Sequence, residues 1–342
     1  MNFSVIIPTY KRPEDLRRLL DSAFQQTVPA SEVLVVVGPG DDESLALARK
    51  WQVGRPALVV LPATRKSLVH AINLGLARAT GDIVCLLDDD VWLPAEWAAR
   101  IVAAYQADAE LGAYGGRDRL QLNDPRHDNP PLADTVGRFR WDGVLEGNHH
   151  CGVTVSPARV DVIKGCNLSF RRTAFPTMEV EPALESQGAE VCTEVDICQR
   201  VILAGYHVVY DNDNYVLHYS SPRPASDDRN YLFSPAWAKR AFNESLVTAK
   251  YRPLSEVVLL GLRNFLVGTR FTPGLVWSAL LLRQHPSWQV LKLPWYYAGV
   301  FRRGAAYGRR RRESLIANPN SSNRLATPST FRPPSAAGNQ ER

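Results

Sequence analysis

Four short runs of mostly Val, Ile and Leu punctuate the first ninety or so residues: Phe3–Ile7, Val33–Val37, Ala57–Leu61 and Ile83–Leu87. None alternates apolar with polar, so each reads as a strand covered on both faces, the condition of parallel strands between helix layers. Helical patterns fill the gaps. Pro13 opens the first, and Leu16, Leu19, Leu20, Ala23 and Phe24 then fall on one face. Leu45–Trp51 and Leu68–Ala79 supply the next two. Strand and helix in this alternation predict an α/β fold with a doubly wound, mostly parallel sheet and right-handed crossovers. Such sheets bind ligands at the carboxyl ends of their strands, which directs attention to the residues just after Ile7, Val37 and Leu87.

Beyond the first hundred residues the pattern changes. Residues 112–157, rich in Asp, Asn, Pro and His, read as irregular loops. Strand and helix character returns over 160–219, with a helix at Cys192–Ala204 and strands at Tyr206–Tyr210 and Tyr215–Tyr219. Residues 235–304 read as helical and strongly apolar, and the Asn-, Ser- and Pro-rich tail after Glu313 as disordered. The 342 residues suffice for one large domain with additions, and 45% apolar content supports a sizeable core. The net charge of +5 is mild, but six arginines fall between Arg302 and Arg312. That predicts an anionic surface partner at one end and no nucleic-acid partner. Trp277, Trp288, Trp295, Tyr296 and Tyr297 lie among arginines and lysines in 254–312, which suits an anionic membrane surface, with Arg309–Arg312 facing the head groups. No 18-residue apolar window free of charge occurs, so a spanning helix is not expected. Five cysteines without C-x-x-C spacing, and no signal peptide, predict a cytoplasmic location, peripheral on the cytoplasmic face of the membrane. The His149-His150-Cys151 run lacks a second ligand pair at zinc spacing and reads as a loop.

The sharpest chemical feature is Asp88-Asp89-Asp90 at the end of an apolar strand. Three carboxylates repel one another there unless a cation neutralises them. Hard oxygen ligands suit Mg²⁺ or Mn²⁺, which also bridge the phosphates of a nucleotide diphosphate. The first strand ends in Pro8-Thr9-Tyr10-Lys11-Arg12, which brings a hydroxyl, an aromatic ring and cations to the same sheet edge for a base and phosphates. Neither G-x-G-x-x-G nor G-x-x-x-x-G-K-[ST] is present, which argues against dinucleotide and P-loop readings.

Taken in order, Val5–Pro13, Phe24-Gln25-Gln26-Thr27, Asn73-Leu74-Gly75 and Ala79–Asp90 closely resemble family 2 glycosyltransferases of the GT-A fold. Gly165–Arg172 is similar to that family's G-x-N-x-S-F-R-R acceptor motif, Thr193–Arg200 with Ala204-Gly205-Tyr206 to its E-D-x-D-L-C-x-R…A-G-Y motif, and Val216-Leu217-His218 to its late histidine strand. The resemblance implies an inverting, metal-dependent transferase that takes a nucleotide sugar, UDP-linked by preference, to a glycan or lipid-linked hydroxyl. It implies Asp88, Asp90 and His218 as metal ligands, and Pro8, Thr9, Tyr10, Arg12, Asn73, Asp88 and Asp89 around the donor. Gly165, Asn167 and Arg171 are implied for the acceptor side, with Arg171 or Arg200 also available to the leaving diphosphate. Glu194 is implied as general base, with Asp196 as the alternative.

Two positions depart from the pattern. Thr193 stands where the first acid of the pair is usual, and the acid expected directly after the second strand is displaced to Asp41-Asp42, of which Asp42 is the candidate for the nucleotide. The implied organisation is a catalytic domain over 1–222, with a donor half (1–112) and an acceptor half (113–222), then a helical apolar and basic region (223–312) and the tail (313–342). The competing readings are a non-catalytic sugar-nucleotide or glycan binder and a sugar-1-phosphate nucleotidylyltransferase. The latter needs a glycine-rich, arginine-containing loop after the first strand, which Pro8–Arg12 is not.

Overall fold

The computed structural model describes residues 1–121, 130–184, 191–219, 234–284 and 287–316. Strands β1 (Phe3–Thr9), β2 (Glu32–Val37), β3 (Leu58–Pro62) and β4 (Ile83–Leu86) lie parallel in the order β3-β2-β1-β4. Helices α1 (Pro13–Ala23), α2 (Asp42–Gln52) and α3 (Leu68–Arg78) make the crossovers. The strands carry no alternation because both faces are covered. Ile6, Leu34, Val36 and Val84 enter the core on one side of the sheet; Val5, Ile7, Val33 and Val35 enter the core on the other. Glu32 ties the amino ends of these strands together, its carboxylate accepting from Ser4 Oγ at 2.6 Å and from Thr80 Oγ1 at 2.8 Å.

The chain continues past β4 through β5 (Val91–Trp92), helix α4 (Trp97–Ala107), β6 (Leu111–Leu120), β7 (Arg138–Phe139), β8 (Leu145–Glu146), β9 (Ala158–Val160), β10 (Leu168–Arg171), helix α5 (Thr193–Leu203) and β11 (His207–His218). The order of the main sheet is β3-β2-β1-β4-β10-β6-β11-β5, with β9 paired to β11 and β7–β8 a separate hairpin. β10 runs antiparallel to β4 and β6, while β11 runs parallel to β6, so the sheet is mixed and mostly parallel.

Two expectations are corrected. The stretch from 112 does not begin as loop: β6 is a ten-residue strand inserted between β10 and β11. Its Gly115 and Gly116 hid it, yet both are required there. A Cβ on Gly115 would lie 2.0 Å from the Asn167 carbonyl oxygen, and one on Gly116 2.0 Å from that of Asn214. The two late strands are one element, β11, whose register against β6 shifts between Asp211 and Val216.

The C-terminal helices are α6 (Pro235–Tyr251), α7 (Leu254–Leu266), α8 (Leu275–Leu282) and α9 (Trp288–Ile316). α9 packs closely along α6 because Gly304 and Gly308 face it; a Cβ on either would come within 2.2 Å of Ser245 Oγ or the Leu246 carbonyl oxygen. The helix runs past Glu313 to Ile316, and the remainder of the tail, 317–342, lies outside the described residues. Among the described residues no helix is long and apolar enough to cross a membrane.

Candidate active site

The first strand's end and the aspartate run meet at the carboxyl edge of the sheet. Thr9 Oγ1 donates to Asp89 Oδ2 at 2.8 Å. Arg12 Nη1 reaches Asp89 Oδ1 at 3.1 Å and Asp90 Oδ2 at 3.2 Å. Lys11 turns the chain between them at φ 57°, and its N–H donates to Asp41 Oδ2. Asp41 also accepts from Ser44 N at 3.1 Å, so it caps α2 and fixes the β1 turn at once. Asp42, the candidate for the nucleotide, is exposed in the first turn of α2. The Tyr10 ring lies on Gly38, with Lys66 Nζ 4.8 Å from its centroid.

Burial pushes the Asp89 carboxyl up to about 7, against the opposing pull of Arg12. Burial, reinforced by the Asp90 charge, pushes Asp88 up to about 6. The run thus holds more negative charge than its surroundings accommodate, and only Asp88 of the three is partly open.

β5 follows the run directly and pairs antiparallel with the end of β11, Val91 opposite His218. This register brings His218 Nε2 to 3.0 Å from Asp90 Oδ1. His218 Nδ1 lies 2.7 Å from Asp118 Oδ1 on β6, and the other oxygen of Asp118 accepts from Lys164 Nζ. Asp118 is fully buried. Burial alone would raise its pKa, but His218 and Lys164 hold it well below the usual carboxylate range. Burial alone would lower that of His218, but Asp118 and Asp90 hold it well above its ordinary value.

Among the described residues, two groups of side chains offer ligand atoms within 4.8 Å of one another: Asp88, Asp90 and His218, and Asp118, Cys166 and His218. The second is a poor metal site. Burial raises the Cys166 thiol to about 12, and Asp118 already has two cationic partners. The first offers two carboxylates, one of them the partly open Asp88, and an imidazole, a donor set that fits Mg²⁺ or Mn²⁺.

Glu194 is half-buried in the first turn of α5, its Oε2 accepting from Thr193 Oγ1 at 3.1 Å. Its Cβ stands 4.0 Å from where a Cβ on Gly165 would be. Gly165 separates Lys164, the partner of Asp118, from Cys166, so Glu194 flanks the segment that backs His218.

Other expected site residues are used elsewhere. Asn73 spends its amide on Val180, donating to the carbonyl oxygen at 3.0 Å and accepting from N–H at 2.7 Å. Asn167 is buried between Trp97 Nε1 and the Asn214 carbonyl oxygen, which makes it a peg between α4 and β11. Arg171 bonds the carbonyls of Tyr105, Asp108 and Leu111, capping the carboxyl end of α4. Asp196 is wholly buried. Its oxygens take Lys250 Nζ at 2.8 Å, Arg200 Nη2 at 3.1 Å, the Tyr251 hydroxyl and the Glu181 N–H, so neither it nor Arg200 opens on the carboxylate edge. His149 is likewise interior, 2.9 Å from the Val162 carbonyl oxygen. Asp118 and Lys164 escaped the sequence reading. An acid between two arginines resembles a solvated loop until the strand it sits on is recognised.

Residues 4–162 match the family model described as glycosyl transferase family 2. The amylovoran biosynthesis glycosyltransferase AmsE of Erwinia amylovora is 36% identical over 103 residues, 29% of this chain and 39% of that protein. Two further relatives are matched over 16% and 39% of their lengths, so the chain spans well under half of these curated relatives. The O-antigen chain rhamnosyltransferase RfbN of Salmonella typhimurium is 23% identical over 68% of this chain and 71% of that protein. Among solved structures, the mannosyltransferase PcManGT of Pyrobaculum calidifontis, in complex with GDP-Man and Mn²⁺, superposes with a TM-score of 0.53 at 19% identity, over 93% of this chain and 86% of that one. That likeness extends the shared fold over nearly the whole chain.

Proposed function

We propose that this chain, whose residues 4–162 match the model of glycosyl transferase family 2, is a member of that family and moves a sugar from a nucleotide-sugar donor to a hydroxyl of a glycan or lipid-linked acceptor, with inversion at the anomeric carbon. The observation that carries the reading is the convergence of Asp88 and Asp90, in the turn between β4 and β5, with His218 at the end of β11, at the carboxyl edge of the sheet. Two carboxylates and one imidazole would hold Mn²⁺ or Mg²⁺, which when bound would offset the charge of a departing diphosphate.

This chain's own residues supply the rest. Tyr10, packed on Gly38, offers a ring face for the base at the end of β1. Thr9 and Arg12 fix Asp89 and Asp90, so the carboxylates face the donor without rotamer search. Asp118, itself held by Lys164, fixes the ring of His218. Glu194 takes the proton of the acceptor hydroxyl as its oxygen bonds to the anomeric carbon. The bond from that carbon to the diphosphate breaks, and the electron pair leaves with the nucleotide. Glu194 is preferred to Asp196 because four donors already occupy the latter.

The supporting observations for donor and acceptor are the GDP-Man and Mn²⁺ of one structural neighbour and the O-antigen chain named for one relative. The test is hydrolysis or transfer with a panel of UDP-, GDP- and dTDP-sugars, with and without Mn²⁺, on the wild type and Asp90→Asn. Mn²⁺-dependent turnover of one donor, lost in the variant, supports the reading. Binding of a donor with no turnover in any condition would return the protein to a non-catalytic binder, and release of pyrophosphate from a nucleoside triphosphate on addition of a sugar 1-phosphate would make it a nucleotidylyltransferase.

A further inference from the structure

From Val257 to Arg312 the chain has ten lysines and arginines and no aspartate or glutamate. Ten positive charges here against +5 overall leave the rest of the chain at −5. The cationic character is therefore confined to the C-terminal helices.

The same helices leave large apolar side chains bare. On α7, Leu254, Val258, Leu262 and Leu266 recur every fourth residue, a single stripe in which each is 49–52% exposed. On α8, Val276 and Leu280 are exposed while Ser278 and Leu281 are buried. On α9, Trp288 is 82% exposed, and Trp295 and Tyr296 also face outward, while Val290 and Tyr297 point in. The Phe265 and Trp295 rings meet edge to face at 5.8 Å, which joins the α7 stripe to the aromatic end of α9. Each helix thus buries one side against its neighbours and exposes the other. Arg270, Arg283 and Lys292 are exposed in the same segment. Beside it a cleft of about 310 Å³ opens between α6 and α9, lined by Phe242, Tyr296, Val300, Lys239 and Arg303. Apolar walls with two cations suit an acyl chain bearing an anionic head.

A bare apolar layer of this kind marks an interaction face. Its one acid, Glu256, is held by Arg252 at 2.7 Å, so the exposed cations select an anionic partner, and tryptophan and tyrosine beside cations fit the head-group boundary of a bilayer. We propose that α7, α8 and the first turns of α9 lie flat in the head-group layer of an anionic membrane, the aliphatic stripe and Trp288 dipping below it. The Arg309–Arg312 cluster contributes less than its sequence suggests. Arg311 is drawn inward to Glu181 at 3.1 Å, and Arg312 donates to the Arg252 carbonyl oxygen at 2.5 Å. This inference does not depend on the transferase reading.

The test is flotation of the full chain with phosphatidylcholine vesicles, with and without about one-third phosphatidylglycerol. The wild type should float with the anionic vesicles, less so in high salt, with blue-shifted tryptophan fluorescence. Val258→Asp with Leu262→Asp should lower partitioning by roughly tenfold or more. Both positions are exposed, so thermal unfolding and Mn²⁺-dependent donor turnover should stay as in the wild type; absence of turnover in wild type and variant alike would indict the transferase reading and not this one. The proposal is overturned if the wild type ignores anionic vesicles, or if the double variant floats equally well. It is also overturned if the substitutions merely dissolve a dimer that does not bind vesicles, because a second copy of the chain would then cover the face.

Discussion

His218 Nδ1 and Asp118 Oδ1 lie 2.7 Å apart, joining the end of β11 to a buried aspartate on β6 and leaving the other ring nitrogen to face Asp90. A carboxylate behind a histidine fixes its tautomer and its direction. Asp118→Asn should therefore weaken Mn²⁺ binding by about 10–100-fold, read by titration of the metal alone. Unchanged affinity in a folded variant would reduce Asp118 to a partner of Lys164.

Glu194 and Asp196 sit two residues apart on α5 but in opposite circumstances. Glu194→Gln should lower kcat by roughly 10²–10⁴ while donor affinity and melting temperature stay near those of the wild type. Steady-state kinetics beside nucleotide titration separates the two effects. A kcat within a few-fold of the wild type would remove Glu194 from the role of base.

Asp196→Asn should act on stability. It leaves Lys250, also buried, facing Glu181 alone, and breaking a buried pair costs about 3–5 kcal/mol. Chemical denaturation measures the loss, and the interface between α5 and α6 should loosen first in hydrogen exchange.

The same cluster sets an acid limit. Burial would raise the Asp196 pKa, but Arg200 and Lys250 reverse this and hold it below its ordinary value. The unfolded chain therefore binds this proton more readily. The stabilisation is whole above about pH 4 and is lost as pH falls through the lower folded value. Melting temperature followed from pH 6 downward should fall more steeply for the wild type than for Asp196→Asn. Parallel curves would disconnect Asp196 from acid unfolding.

Gly38→Ala tests the base-stacking role of Tyr10. The new Cβ would stand 2.5 Å from Tyr10 Cδ2, so the ring must move. The expected result is a several-fold weaker nucleotide affinity with kcat little changed. Equal affinity would remove Tyr10 from the donor site.

Part of this architecture was legible in one dimension. β1, β2 and β4 announce themselves because strands covered on both faces need continuous apolar runs, and the aspartates after Leu87 stand out because such a strand rarely ends in three acids. β6 was not legible. Its glycines answer to the carbonyls of Asn167 and Asn214, which lie on segments about fifty and a hundred residues away. The roles of Asn73, Asn167 and Arg171 were equally hidden, since an amide or guanidinium in a familiar motif is the same residue whether it meets a ligand or a backbone carbonyl.

What the sequence alone determined is therefore what repeats locally: the strand–helix alternation, the edge of the sheet where ligands bind, and the charge carried by each segment. Tertiary structure alone decided which acid meets which base. Asp118 gains His218 only through the β6–β11 pairing, and Asp196 loses its freedom only when α6 brings Lys250 against it. The reason is physical. Local pattern reflects the period of the backbone, whereas the state of a carboxylate depends on charges within a few ångströms, and folding draws those from anywhere in the chain.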